Sequence, residues 1–319
     1  MAKKTYPIEQ SRLYRLESKK KLAELLGIDV PNLIALTRQR ESYRVFTTHE
    51  NGKARVIEEP QGQLKLMHAR LFTLLSRVQP PVYLHSGVKG RSYVSNAREH
   101  VGRGRVLKTD ISKFYPSTTH RQVFVGFLRE FRCKGDIAKI LADLCTYQEH
   151  VPTGSAISMP TAFLAHKQEF DALYVRMLRD NVVLTVYVDD ITLSGAGLMR
   201  WHLCPIKKTF SSTGMRVHKN RFFSDGPAAI TGTIVKGDKL RLPNRRHQRI
   251  AEGIHTLGAE PSRSERQILS AKLIGQVHEA ASVDEDCRAR AQGYLRLISK
   301  LVSAPDRQSA ARTPDSTFN

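Results

Sequence analysis

Two adjacent carboxylates interrupt a β-like stretch of the sequence. Asp189 and Asp190 follow the apolar residues 182–186 and precede the alternating residues 191–194. Charged side chains within a strand pattern are costly unless they lie at a bend or bind a positive group. Consecutive strand residues point to opposite faces, so the tip of a hairpin is the expected position. There the two acids could share a divalent metal ion, which indicates chemistry on phosphates.

A third carboxylate, Asp110, comes at the end of a short strand predicted over residues 106–111. If the strands are neighbours, all three acids converge at one end of a sheet. Mg²⁺ prefers oxygen ligands, and two such ions about 3.5–4 Å apart could activate a hydroxyl and stabilise a leaving pyrophosphate. Taken alone, each aspartate is better explained by a place in a turn or a helix cap.

The surrounding pattern mixes helices and strands. Helical spacing of apolar residues predicts helices over residues 8–42, 121–147, 161–179 and 200–212, and another around Leu64–Leu75. Residues 43–59 read as a hairpin around Asn51-Gly52, residues 151–160 as a loop rich in Pro and Gly, and two short strands reach about residue 242. Regular βαβ alternation is missing, so we expect an α+β fold with an antiparallel sheet.

The two ends of the chain read differently. Residues 22–33 resemble a helix-turn-helix, although such helix pairs are common as simple packing units. Beyond Pro243 the chain is helical and basic, and the polar residues after Pro305 are expected to be disordered.

The chain of 319 residues carries a formal net charge of +21, which predicts a polyanionic partner such as nucleic acid. No apolar run is long enough for a membrane span, and the first residues lack the apolar segment of a secretory signal. The four cysteines show neither metal-type nor disulfide-type spacing. We therefore expect a reduced, cytoplasmic protein without a membrane partner.

The catalytic blocks of reverse transcriptases, specifically those of bacterial retrons, are similar to residues 107–117 and 187–190. The resemblance covers roughly residues 40–242 and implies a right-hand polymerase with fingers, a palm with an antiparallel sheet, and a helical thumb. The implied division is an N-terminal helical segment (1–42), fingers and palm (43–242), and a basic thumb with the tail (243–319). It further implies that Asp110, Asp189 and Asp190 bind two Mg²⁺ ions, with Ile111 part of the metal site.

The same resemblance implies nucleotide-binding residues. Tyr115 takes the position of the bulky ring that excludes ribonucleotides, because such a ring leaves no space for a 2′-hydroxyl. The alternative explanation of Tyr115 is that it is an ordinary tyrosine of the hydrophobic core. Lys53 and Arg55 correspond to basic residues that contact the triphosphate, although a solvated hairpin charge explains Lys53 nearly as well.

Two further blocks depart from the family pattern. In the loop 152–158, Gly154 matches a residue that lets the backbone approach the nucleotide, but Thr153 replaces a glutamine. Arg221 stands where the family has a lysine, so a proton-donating role is in doubt because arginine does not release protons readily.

Two short motifs resemble retron enzymes in particular and imply RNA-binding residues. Asn96 and His100, four residues apart, would share one helical face, and Thr231-Gly232, preceded by Ile230, resembles a Val-Thr-Gly motif with Ile in place of Val. The alternative to RNA binding by His100 is a half-buried imidazole whose hydrogen bonds are made within the protein.

The function implied is an RNA-directed DNA polymerase of a retron. It would use dNTPs to copy part of a cognate non-coding RNA into a branched, RNA-linked single-stranded DNA, in anti-phage defence with an effector protein. One alternative is another bacterial reverse transcriptase, of the intron or abortive-infection type, which the Asn96–His100 and Thr231–Gly232 motifs disfavour. The other is a non-catalytic basic protein that binds RNA or DNA, which the intact aspartates disfavour.

Overall fold

The computed structural model describes residues 5–38, 42–50, 52–259 and 262–303. The chain divides into two compact units, Met1–Asp225 and Gly226–Asn319. Both combine helices with antiparallel sheets, so the α+β class predicted from the sequence is confirmed. Within the described ranges, no helix is long and apolar enough to cross a membrane. The predicted tail, residues 305–319, and Asn51 of the predicted hairpin turn lie outside the described residues.

The first unit has six described strands in two sheets. They are β1 (Tyr43–Glu50), β2 (Lys53–Pro60), β3 (Val106–Ile111), β4 (Val183–Tyr187), β5 (Asp190–Ser194) and β6 (Val217–Phe223). β1 and β2 form the predicted hairpin, and the other four strands form an antiparallel sheet in the order β4-β5-β3-β6. The hairpin β4–β5 therefore lies beside β3, as the convergence of the acidic residues requires.

The helices of the first unit pack around these sheets. They are α1 (Lys19–Leu26), α2 (Val30–Leu36), α3 (Gly62–Leu75), α4 (Tyr93–Arg98), α5 (Phe114–Ser117), α6 (His120–Glu130), α7 (Gly135–Cys145), α8 (Ser158–Ala165), α9 (Lys167–Arg179) and α10 (Leu203–Ser211). Short 3₁₀ helices cover Ile8–Gln10 and Arg200–His202.

Gly27, in the left-handed region with φ 70°, ends α1 at the turn of the helix pair predicted over residues 22–33. Two segments predicted as continuous helices, 121–147 and 161–179, are divided in the structure. Arg132 (φ 52°) separates α6 from α7, and His166 (φ −117°) separates α8 from α9. α8 also begins at Ser158, inside the predicted loop. The divisions were missed because apolar spacing continues across residues whose backbone leaves the helical region.

The four-stranded sheet has two unlike faces. Strand register and alternation place the buried Leu184, Val186, Ile191 and Leu193 on one face. The hydroxyl residues of β4 and β5 share the other face with Asp110 and Asp190. The core is completed by aromatic contacts among helices, with Phe163 stacked on Phe170 at 5.8 Å and Phe170 edge-on to Phe210 at 5.2 Å.

His100 covers the hydroxyl-bearing face of the sheet. Its Nδ1 lies 2.7 Å from Ser194 Oγ and its Nε2 lies 2.7 Å from Thr185 Oγ1. The sequence predicted that Asn96 and His100 share a helical face, but α4 ends at Arg98, so His100 lies beyond the helix. Asn96 and His100 are both fully buried. The His100 ring thus links β4 and β5 through hydrogen bonds with their hydroxyls.

The second unit contains a three-stranded antiparallel sheet and a set of helices. Its described elements are β7 (Ala228–Ile230), β8 (Thr233–Lys236), β9 (Lys239–Arg241), α11 (Asn244–Gly258), α12 (Arg263–Val283) and α13 (Glu285–Ser303). Two strands were predicted between α10 and residue 242, but the structure has four, counting β6. Tight turns at Gly232 (φ 85°) and Gly237 (φ 58°) break the segment more often than its apolar pattern indicates. The division into fingers, palm and thumb stays a prediction.

Three buried imidazoles predict an acid-sensitive first unit. Burial lowers the pKa of His68 and of His166 to about 4 and that of His100 to about 3. The unfolded chain binds these protons near pH 6.5 and the folded chain does not, so stability is full above pH 6.5 and falls with pH below it. Each histidine should remove about 1.4 kcal/mol of unfolding free energy per pH unit.

The measurement is urea unfolding between pH 7 and 5.5, followed by the fluorescence of Trp201, the single tryptophan. In His100→Gln the unfolding free energy should depend less steeply on pH, by about 1.4 kcal/mol per pH unit, because one buried histidine is lost. His49→Gln, at an exposed position on β1, serves as the control and should leave the slope unchanged. An unchanged slope in His100→Gln would contradict a neutral, buried His100.

Candidate active site

The acidic pair lies at the tip of the β4–β5 hairpin, as predicted. Val188 and Asp189 form the two-residue turn, and Asp190 begins β5. Val188 has φ 59°, a left-handed conformation that costs a β-branched residue about 1–3 kcal/mol. Two hydrogen bonds stabilise this turn: Val188 N–H donates to Ser86 Oγ at 2.8 Å, and Ile111 N–H donates to the Asp189 carbonyl at 2.9 Å. The surroundings therefore force a strained turn that presents Asp189.

Three carboxylates converge at this end of the sheet. Asp110 of β3 is directly opposite Asp190 of β5, on the same face. Burial, together with the charges of Asp190 and Asp110, raises the pKa of Asp189 to about 6. Burial also raises the pKa of Asp190; Lys108 opposes this rise and Asp110 adds to it. The ionised carboxylates repel one another, so a cation among them would be stabilising.

The donor set fits a hard divalent cation. Carboxylate oxygens are the ligands that Mg²⁺ prefers, and the cluster formed by Asp110, Asp189 and Asp190 contains neither a thiol nor a thioether. The side chain of Ile111 is fully buried and has no ligand atom, so only its backbone could take part in such a site. The predicted metal residues are thus brought together, with Ile111 limited to its main chain.

Basic side chains contact the acids directly. Lys219 Nζ lies 2.5 Å from Asp110 Oδ2, and His218 Nδ1 lies 2.6 Å from Asp110 Oδ1. Lys108 Nζ lies 3.3 Å from Asp190 Oδ1. The two lysines partly neutralise the acids, and the sequence interpretation missed the contacts of all three basic residues.

Arg221 was expected to take the place of a lysine near the acids. The structure instead puts it on β6 opposite Lys108, exposed, and brings Lys219 to Asp110. Lys219 has φ 54°, and the register of β3 with β6 shifts between Lys108 and Asp110. A bulge of this kind redirects side chains, and a strict strand alternation does not reveal it.

Tyr115 lies beside the carboxylates. It belongs to α5, directly after β3, and its ring is 5.8 Å from that of Phe114. Burial, followed by the negative charge of Asp189, raises the pKa of the Tyr115 phenol to about 12. The ring is therefore neutral and half-buried next to the acidic cluster, as the predicted steric role requires.

The loop 151–157 is hydrogen-bonded to β2. The buried Glu58 carboxylate accepts from Thr153 N–H at 3.1 Å and lies 3.0 Å from His150 Nε2. Thr153 Oγ1 donates to the Val56 carbonyl at 2.7 Å. A Cβ atom at Gly154 would lie 2.8 Å from the Glu58 carbonyl oxygen. The glycine was predicted to let a nucleotide approach, but the space that a Cβ would need is occupied by the Glu58 backbone and the Ile57 side chain of β2.

The basic residues predicted to contact a triphosphate lie on the same hairpin. Lys53 and Arg55 are both exposed on β2, five and three residues before Glu58, respectively. The Glu58–Thr153 contact therefore fixes the strand that carries them to the loop 151–157. Their contact with a nucleotide stays a prediction.

The predicted RNA-binding residues are divided between the two units. Asn96 and His100 are buried in the first unit, a position that does not support direct contact with RNA. Thr231 (φ 43°) and Gly232 (φ 85°) form the turn between β7 and β8 in the second unit. A Cβ atom at Gly232 would lie 3.2 Å from Arg246 Nη2. This basic neighbour was not anticipated from the sequence, and RNA binding by the motif stays a prediction.

Comparison with known proteins gives relatives of one kind. Retron Se72 reverse transcriptase of Salmonella heidelberg is 32% identical over 177 residues, which are 54% of this chain and 47% of the relative. Retron Ec86 reverse transcriptase of Escherichia coli is 22% identical over 81% of the chain and 82% of its own length. Retron Ec48 reverse transcriptase, also of Escherichia coli, is 28% identical over 90% of this chain and 77% of its own length. The chain thus spans about half of the first relative.

No model of a protein family matches the chain. Among solved structures, telomerase of Candida albicans in complex with a fragment of telomeric RNA is 9% identical with a TM-score of 0.47, covering 83% of this chain and 61% of that one. The α+β architecture and the relationship to reverse transcriptases agree with the predicted right-hand polymerase fold. Over much of its length the chain is thus similar to retron reverse transcriptases, the class of enzyme that its motifs predicted.

Proposed function

We propose that this protein is the RNA-directed DNA polymerase of a retron and adds deoxynucleotides under the direction of an RNA template. The observation that carries the proposal is the convergence of Asp110, Asp189 and Asp190 at one end of a sheet, with Tyr115 beside them. The similarity to retron reverse transcriptases over most of the chain supports the same conclusion.

In this proposal the three aspartates bind two Mg²⁺ ions. When bound, the ions would activate the primer hydroxyl and stabilise the leaving pyrophosphate. The hydroxyl oxygen forms a bond to the α-phosphorus of the dNTP while the bond to the β-phosphate oxygen breaks. The carboxylates of Asp190 and Asp110 would exchange their contacts with Lys108 and Lys219 for contacts with the ions.

Other residues would bind and select the nucleotide. The neutral Tyr115 ring blocks the space of a 2′-hydroxyl, and Lys53 and Arg55 contact the triphosphate. Glu58 and Thr153 hold the strand with these basic residues against the loop 151–157. Selection of the sugar then depends on the rigid Tyr115 ring. Triphosphate binding depends on the β1–β2 hairpin, which is fixed by its contacts with the loop 151–157.

We also propose the finer identity of template and product from the likeness to retron enzymes. The template is part of a cognate non-coding RNA, priming uses a 2′-hydroxyl of that RNA, and the product is a branched, RNA-linked single-stranded DNA. An effector protein in anti-phage defence would be the further partner, and the cytoplasm the compartment. The four cysteines form no disulfide, which fits a reducing compartment.

Replacing an acidic residue tests the site. Asp189→Asn or Asp190→Asn should lower the rate of DNA synthesis by about two orders of magnitude or more, the scale of losing one electrostatic contact to a transition state. Primer extension on an RNA template measures the rate, and filter binding checks that RNA affinity is retained. Asp225→Asn, at an exposed position of the same unit, is the matched control. Undiminished synthesis in either site variant would refute the metal assignment.

Sugar selectivity tests Tyr115. Removing the ring with Tyr115→Ala should lower the ratio of kcat/KM for a dNTP to that for the matching ribonucleotide by about 10- to 200-fold, as expected when a steric contact is lost. Tyr115→Phe keeps the ring and should keep the selectivity. If the alanine variant discriminates as well as the unmodified protein, Tyr115 does not act as the gate.

The net charge of +21 predicts salt-dependent RNA binding. The logarithm of the affinity should fall with the logarithm of salt concentration, with a slope of about −0.7 to −0.9 per phosphate contact. Replacing the exposed Arg245 and Arg249 of α11 by Gln should weaken binding and flatten the slope. Glu252→Gln on the same helix removes a negative charge and should not weaken binding. A salt-independent affinity would contradict the proposal.

A further inference from the structure

Three potential metal ligands meet in the second unit, apart from the acidic cluster. His247 lies in the first turns of α11, whereas Asp284 and Cys287 lie at the junction of α12 and α13. One ligand atom from each residue lies within 4.8 Å of the others. The chain therefore brings a nitrogen, an oxygen and a sulfur donor together from two separate helical segments.

Asp284 is an ionised and well-oriented member of this group. It is 4% exposed, and its Oδ2 accepts from Leu242 N–H at 3.0 Å while its Oδ1 accepts from Asp286 N–H at 3.0 Å. Burial alone would raise the pKa of Asp284. The backbone hydrogen bonds and the Arg241 guanidinium outweigh burial, so the pKa of Asp284 is lowered. Each carboxylate oxygen has two lone pairs, so coordination does not require losing the backbone bonds.

Cys287 and His247 complete the group around an opening between helices. Cys287 is 8% exposed and in no disulfide, and burial together with the Asp284 charge raises the pKa of its thiol. A cavity of about 310 Å³ adjoins these residues and is lined by His247, Ile250, Val277, Cys287, Arg290 and Tyr294. His247 is exposed, so its ring can rotate without disturbing the core. The cavity therefore gives an ion a path to His247 and Cys287, and a carboxylate oxygen of Asp284 lies within 4.8 Å of both ligand atoms.

We propose that His247, Asp284 and Cys287 bind a divalent transition-metal ion of the zinc class. Imidazole and thiolate ligands favour such an ion over Mg²⁺, and three protein ligands leave a fourth position for water from the cavity. The three ligand atoms lie within 4.8 Å of one another, so a single ion between them can reach ligand distances of about 2.0–2.3 Å after small side-chain movements. Binding displaces the thiol proton to solvent and joins the start of α11 to the α12–α13 junction.

The site would have a structural role that is independent of polymerisation. α11 contributes only His247 to the group, and the other two ligands come from the junction of α12 and α13. A bound ion would therefore tie these segments across the cavity and stabilise the second unit. Arg241, which pairs with Asp284, would offset part of the negative charge of the ligands.

Cobalt titration of the full chain tests the proposal. One equivalent of Co²⁺ should bind per chain and produce a thiolate-to-cobalt charge-transfer band. Zn²⁺ should remove that band by competing for the site. Cys287→Ser should abolish the band, and His247→Gln should weaken Co²⁺ binding by at least about tenfold. The exposed residues Cys204 and His255 provide matched controls, since Cys204→Ser and His255→Gln should bind Co²⁺ unchanged.

The outcomes separate this site from the polymerase site. Carboxylates alone give no thiolate band, so Asp189→Asn should retain it whatever its activity. If Cys287→Ser does not fold, His247→Gln decides the question, because His247 is exposed. Absence of the band in the unmodified protein would overturn the proposal, as would an unaltered affinity in His247→Gln or loss of the band in Cys204→Ser.

Discussion

Mutual repulsion among three partly buried carboxylates is the constraint on which the rest of the first unit depends. Asp189 and Asp190 are next to each other in sequence, and Asp110 is opposite Asp190 across the sheet. Burial strengthens the repulsion, since a lower local dielectric weakens screening. A fold selected for stability alone would avoid this arrangement. The proposed divalent cations would relieve this repulsion, as the contacts of Lys108 and Lys219 partly do.

Much of the surrounding structure serves to hold the strained hairpin in place. Val188 takes a left-handed conformation that its side chain disfavours, and Ser86 and Ile111 bond to the turn. On the same sheet, His100 connects β4 to β5 through two hydroxyl groups. These contacts come from distant parts of the chain, so the geometry of the acids relies on the packing of the entire unit.

The sequence was sufficient for the central site because its signals are local. Carboxylates that interrupt a β pattern predict a hairpin tip, and Asp110 at the end of a strand predicts the third ligand. Long-range contacts were not predictable in the same way. Lys219 reaches Asp110 through a bulge, and Gly154 contacts β2, about a hundred residues earlier in the chain. The proximity of His247 to Cys287 likewise depends on how three helices fold back on one another.

Binding of the catalytic metal ions by Asp110, Asp189 and Asp190 together is tested most directly by anomalous scattering. Crystals of the full chain would be grown with Mn²⁺, an RNA–DNA primer-template and a non-hydrolysable dNTP. We expect anomalous peaks within coordinating distance of all three carboxylates, with Lys219 displaced from Asp110. Manganese bound elsewhere, with Lys219 still on Asp110, would contradict it.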